Sequence, residues 1–171
     1  FPYTWKFIWS PLIDRYPIFN LGRRRGWMLL SQLALIIAIA SLGFFSPQTS
    51  LWTIAYLAFG VAFFSASQDI VLDAYRREIL SDHELGLGNS VHVNAYRIAG
   101  LVPGSLSLIL ADHLPWHWVF PITALFMLPG LMLTLMCKEP ASSLVPRTLR
   151  EAVIEPFHEF IQRQGVQNAL L

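Results

Sequence analysis

From Gly26 through Gln68 the chain carries no Asp, Glu, Lys or Arg, and this uncharged stretch restricts the fold more than any other feature. A hydrocarbon layer about 30 Å thick is crossed by roughly 20 consecutive apolar residues in a helix. Ser46-Pro47-Gln48-Thr49-Ser50 breaks the stretch with turn-forming residues, so it reads as a span at 26–45 and a second at 51–80. The second ends in Ser67-Gln68-Asp69-Ile70-Val71-Leu72-Asp73-Ala74-Tyr75. A carboxylate at membrane depth costs about 2.5–3.5 kcal/mol on insertion scales, and such residues mark ion or substrate pathways. Asp69 and Asp73, four apart, share one helix face, and Arg76 and Arg77 follow within a turn. The stripe has the composition of a proton or substrate relay. It has equally the composition of a structural ion-pair group closing the end of a helix.

Three further segments complete an all-α membrane bundle over 1–137. Phe1 to Asp14 reads as the tail of a span, and since no Met opens the chain, the sequence reads as a fragment. Ile98 to Ala111 is uncharged but too short to cross alone, so the helix must recruit residues from about Ser90, with Ser81 to Gly88 left as a polar loop. Trp116 to Cys137 is the last full span. Every Lys and Arg except Lys6 and Arg97 falls in 15–25, at 76–77 or after 137, and the loops near Pro47 and Pro115 have none. By the positive-inside rule, residues 15–25, 81–89 and 138–168 face the cytoplasm. Beyond the spans, 138–168 reads as a cytoplasmic loop. Leu149, Val153, Phe157, Phe160 and Ile161 recur there at helical spacing, as in a helix lying on the membrane surface or packed against the bundle. Residues 169–171 begin another span.

Composition narrows the function classes. With 54% hydrophobic and 13% charged residues and a net charge of +1, the chain has no basic excess suited to nucleic acid. Cys137 is the single cysteine, which excludes an internal disulfide. No nucleophile–base pair, phosphate loop or metal motif stands out, so neither an enzyme nor a cofactor is expected. His113 and His117 are spaced four apart, but Pro115 lies between them; His83 and His158 read as solvated; His92 opens the helix at 90–111 without an evident role.

Charged and amide side chains inside the spans are the candidate ligands of a substrate. Lys6 lies two turns in from Asp14, too far to be read simply as reaching the interface. Arg97 must face the bundle interior, where Asp69 or Asp73 is its expected partner and a substrate carboxylate the alternative. Gly100 and Gly104 let a neighbouring backbone approach, and Pro103 is expected to kink the helix.

The loop from Asp14 to Gly26 pairs an acid at a helix end with Arg23, Arg24 and Arg25 at the start of the next helix. It resembles the signature between the second and third helices of major facilitator transporters, with a longer spacing. That resemblance implies a conformational latch of Asp14, Arg15, Arg23, Arg24 and Arg25, whereas positive-inside anchoring alone would explain the arginines but not Asp14. Trp5-Lys6-Phe7-Ile8-Trp9-Ser10-Pro11-Leu12-Ile13-Asp14-Arg15-Tyr16, Gly22-Arg23-Arg24-Arg25-Gly26-Trp27, the Ser67-Gln68-Asp69 stretch, Tyr96-Arg97-Ile98 and Pro146 to Val153 together resemble the AmpG family of muropeptide permeases. The resemblance implies the second to sixth helices of a proton-driven importer of anhydro-muropeptides in the bacterial inner membrane, with lipid, protons and a C-terminal half as partners. Asp69 or Asp73 would carry the proton, and Lys6, Gln68, Asn94, Tyr96 and Arg97 would meet the substrate. The Ser-Gln-Asp element is similar also to one in acetyl-coenzyme A transporters of the endoplasmic reticulum. A membrane scaffold is the remaining alternative, though a scaffold has no reason to bury Lys6, Asp69 and Arg97 on three helices.

Overall fold

A computed structural model describes residues 2–18 and 21–140. The described residues are helical apart from turns, and they contain no β-strand. In order they form α1 (Pro2–Trp5), a 3-10 turn (Lys6–Ile8), α2 (Ser10–Arg15), α3 (Arg23–Leu42), α4 (Leu51–Ile79) and α5 (Leu85–Ala99). A π-helical turn (Val102–Leu106), α6 (Ser107–Ala111), α7 (Trp116–Leu125) and α8 (Leu128–Met136) follow. Among the described residues, four stretches are long and apolar enough to cross a membrane: Arg23–Leu42, Leu51–Ile79, Leu85–Ala111 and Trp116–Met136. The surface helix expected at 147–164 and the span expected at 169–171 lie outside the described residues.

Prolines explain where helices break. Pro11 has no N–H to offer the carbonyl four residues back, and the first segment is accordingly split around Trp9. Pro103 has the same defect, and the chain answers with a π turn in which the Ser107 hydroxyl donates to the Val102 carbonyl at 3.0 Å. Ahead of Pro129, Phe126 and Met127 make tighter bonds, to Thr123 and Ala124 at 3.2 and 3.1 Å, and this turn separates α7 from α8.

Two helix starts are set by carboxylates, and the second differs from the sequence reading. α3 begins at Arg23, three residues before the apolar span at 26–45, and its first free N–H groups are met by a carboxylate: Glu139 accepts from the Arg24 and Arg25 amides at 2.8 and 3.0 Å. α5 begins at Leu85, so Gly86 and Gly88 are helical and not part of the loop. Here the Glu84 carboxylate accepts from the Ser81 N–H and hydroxyl, and the Glu84 and Leu85 N–H groups donate to the Ser81 carbonyl, a closed turn that leads into the helix five residues early.

Packing is centred on α3 and α4. Ile13, Met28 and Val71 form the buried core beneath Trp9, Trp27, Ile70, Leu72 and Tyr75. The first segment lies close along α4 because Ala66 and Ser67 are small, 0% and 2% exposed. Trp9 Nε1 donates to Ser67 Oγ at 3.1 Å and its ring lies 4.9 Å from that of Phe63. At one end of the bundle the two arginine-free loops meet, with Gly43 against His117. At the other end the Tyr75 hydroxyl donates to the Lys138 carbonyl at 2.9 Å, beside the arginine cluster of α3.

Candidate functional site

The basic cluster at the start of α3 is held by more acids than Asp14. Arg24, 6% exposed, donates through Nη1 to Asp14 and through Nε and Nη2 to Glu78 at 2.9 and 2.5 Å. Arg23 reaches the same Glu78 oxygen at 3.3 Å and the Asp14 backbone carbonyl at 2.9 Å. Arg25 caps the far partner, donating to the Thr134 and Leu135 carbonyls at 3.1 and 2.6 Å in the last turn of α8, where carbonyls lack helical donors. Glu139 and Arg25 thus clasp the start of α3 and the end of α8 in both directions. Arg15 does not join this cluster: its guanidinium lies over the Tyr16 ring, 5.4 Å from the centroid. Glu78 and Glu139 carry no signal in the sequence that singles them out, and only the convergence of α3, α4 and α8 shows their part here.

Two glycines let this corner close. Gly22 has φ of 102°, a left-handed conformation, and a Cβ there would meet the Glu139 side chain. A Cβ on Gly26 would overlap the Ile18 carbonyl.

About two turns deeper, Lys6 Nζ donates to Asp69 Oδ2 at 2.7 Å, joining the first segment to α4. Both side chains remain about a third exposed, at 37% and 35%. Lys6 also borders a cleft of about 330 Å³, with Phe7, Ser10, Asp14, Ile70 and Asp73. Asp73 is paired with Arg76 on its own helix, and Arg76 also reaches the Asn89 amide oxygen of α5 at 3.4 Å. Asp73 borders a second cleft, of about 380 Å³, with Arg76, Arg77 and Asn89. His92 closes the group from α5: one ligand atom each of Asp69, Asp73 and His92 lie within 4.8 Å of one another. Lys6 and Arg76 already neutralise both carboxylates, so a cation shared by these three would have to displace two resident partners.

The remaining expected ligands are not gathered here. Arg97 is exposed and makes no ion pair with any described residue, contrary to the expected pairing with Asp69 or Asp73. The reason is geometric: Lys6 reaches Asp69 from the first segment, Arg76 reaches Asp73 one turn along α4, and α5 turns Asn89 and His92 toward them instead. Asn94 donates to the Ser90 carbonyl of its own helix at 2.9 Å, and Tyr96 is 75% exposed. Gln68 keeps a buried Oε1 without a donor among the described residues.

Comparison with known proteins puts this geometry in a family. The profile of the Major Facilitator Superfamily matches residues 5–168. An uncharacterized protein of Haemophilus influenzae is 57% identical over 99% of the chain, which covers 40% of that protein. The anhydromuropeptide permease of Escherichia coli K12 is 44% identical over 99% of the chain, covering 35% of the permease. A putative transporter AmpG 3 of Rickettsia prowazekii is 39% identical over 82% of the chain, covering 34% of it. The chain therefore spans well under half the length of these relatives. With four apolar helices, an acid–arginine clasp between α2 and α3 and a matching profile over most of its length, the chain belongs to the major facilitator superfamily.

Proposed function

We propose that this chain forms one wall of a proton-coupled importer of anhydromuropeptides in the bacterial inner membrane, with 15–25, 81–89 and 138–168 on the cytoplasmic side. The observation that carries the reading is the Lys6–Asp69 pair: two opposite charges on separate segments of an apolar bundle, 2.7 Å apart, each about a third exposed, with Lys6 lining a cleft. A purely structural pair at membrane depth would be sealed from solvent, because charges there are tolerated when they serve a pathway or are fully enclosed. An anhydromuropeptide presents sugar hydroxyls and peptide carboxylates. Lys6 offers an ammonium to a carboxylate, and protonation of Asp69 frees that ammonium. Proton and substrate then bind together, and their release together follows from the same linkage. The similarity to the Escherichia coli anhydromuropeptide permease supports this substrate over acetyl-coenzyme A. Asp14, Arg23 and Arg24 serve as the latch, with Glu78 as its second acid; Arg97, Asn94, Tyr96 and Gln68 are assigned to the substrate path.

The test is uptake of labelled anhydromuropeptide by cells expressing the complete gene, with labelled acetyl-coenzyme A in parallel. Asp69→Asn should abolish gradient-driven accumulation while leaving exchange between equal pools, and Asp73→Asn should be milder. Full gradient-driven uptake by both Asn variants would remove the coupling role. Uptake of the coenzyme alone would reassign the substrate.

A further inference from the structure

We infer that Trp9 is a positioning residue for the Lys6 ammonium, an inference that rests on the transport reading above. Lys6, Phe7 and Ile8 form a single 3-10 turn, closed where the Trp9 N–H donates to the Lys6 carbonyl. In such a turn residues three apart lie one above the other, whereas an α-helix sets them about 60° apart. Lys6 and Trp9 therefore leave the first segment on the same side, and both side chains reach α4. The Trp9 carbonyl accepts in turn from Leu12 and Ile13 at 3.0 and 3.2 Å, at the start of α2. One residue thus ties the lysine's turn, α2 and α4 together.

The two contacts with α4 differ in kind. Lys6 and Asp69 are each about a third exposed, so water weakens their attraction and competes for both groups. The Trp9 contact is sealed. Ser67 is 2% exposed, and its Oγ accepts from the indole at 3.1 Å and donates to the Phe63 carbonyl at 2.9 Å. The indole also lies 4.9 Å from the Phe63 ring. A hydroxyl with both roles taken holds its partner in one geometry, and an indole N–H deprived of it would be left without an acceptor. Tyr3 meets Ser65 Oγ at 2.5 Å on the other side of Lys6, but that contact is exposed. The dry anchor three residues away, rather than the ion pair itself, therefore sets where the ammonium stands. When the ammonium leaves Asp69 for a ligand carboxylate, the indole keeps the lysine's turn on α4, and the charge stays at the cleft that Lys6 borders. Affinity then comes from a group held in place before the ligand arrives.

Equilibrium binding of labelled anhydromuropeptide to the purified protein, expressed from its complete gene, decides the matter. Trp9→Phe keeps an aromatic ring on Phe63 and removes the N–H; it should raise Kd about fivefold, the factor one neutral hydrogen bond carries. Ser67→Ala removes the acceptor instead and should raise Kd by a similar factor, and the double variant should bind no more weakly than either. In a Lys6→Gln background, Trp9→Phe should change Kd by less than about twofold, because the ammonium it positions is gone. An indole with a merely structural role would weaken binding by the same factor with or without Lys6. All variants are compared as monodisperse protein, and Ser67→Ala carries the comparison alone if Trp9→Phe does not fold. A wild-type Kd in these variants, or an undiminished effect in the Lys6→Gln background, overturns the inference and leaves the transport reading intact. Absence of wild-type binding overturns both.

Discussion

Replacing Glu78 by Gln removes one negative charge from the most enclosed ion cluster of the bundle and keeps the side chain's shape. Glu78 is 13% exposed and Arg24 7%, and a single Glu78 oxygen accepts from Arg24 Nε, Arg24 Nη2 and Arg23 Nη2. Removing one partner of a buried pair costs about 3–5 kcal/mol when the remaining charge is left without compensation. Here Asp14 stays on Arg24, and the Gln carbonyl oxygen still accepts one of the three bonds, so the expected loss is smaller, about 2–3 kcal/mol. Asp14→Asn is the internal comparison. Asp14 is 32% exposed and makes a single side-chain contact with Arg24, while Glu78 continues to neutralise the guanidinium. Its expected cost is about 1 kcal/mol. The assay is denaturant unfolding of the purified protein in detergent, followed by tryptophan fluorescence. A loss for Glu78→Gln no larger than that for Asp14→Asn would refute the argument, because the arginine charge would then be held chiefly by the acid that the loop motif alone points to.

Three further outcomes are expected. Gly26→Ala should destabilise by about 1–3 kcal/mol, since its Cβ forces the Ile18 carbonyl away, and the same unfolding assay measures it. Glu84 is held below its ordinary value of 4.5 by the Ser81 hydroxyl and then by the Ser81 N–H, so this turn stabilises the fold above that value and the gain is lost as pH falls through the lower folded one. The difference in unfolding midpoint between wild type and Ser81→Ala should therefore shrink toward about pH 3, and a difference that persists undiminished in acid would show that the Glu84 charge does not contribute. Cysteines introduced at Thr49 and Asp82 should react with an impermeant reagent from opposite sides of the membrane, Thr49 from outside; reaction of both from outside overturns the orientation.

What the sequence determined by itself is the class of fold and its alternation of loops. An uncharged stretch as long as Gly26 to Gln68 has one use in a folded chain, because water-excluded backbone must bond within its own helix. Turn residues at 46–50 and arginines confined to alternate loops then follow from local composition. The acid stripe was legible for the same reason, since carboxylates at that depth are costly. Partners were not legible. Lys6 and Asp69 are 63 residues apart, and which cation reaches which acid depends on how closely the first segment approaches α4 over Ala66 and Ser67. Glu78, Glu139 and His92 look ordinary in sequence, and become members of charged clusters only when α3, α8 and α5 converge on α4 or on one another. Arg97, conspicuous in sequence, is left outside because Lys6 and Arg76 already hold both carboxylates. Hydrophobic length is a property of neighbours along the chain, whereas pairing of charges depends on distances across it, and only the tertiary structure sets those.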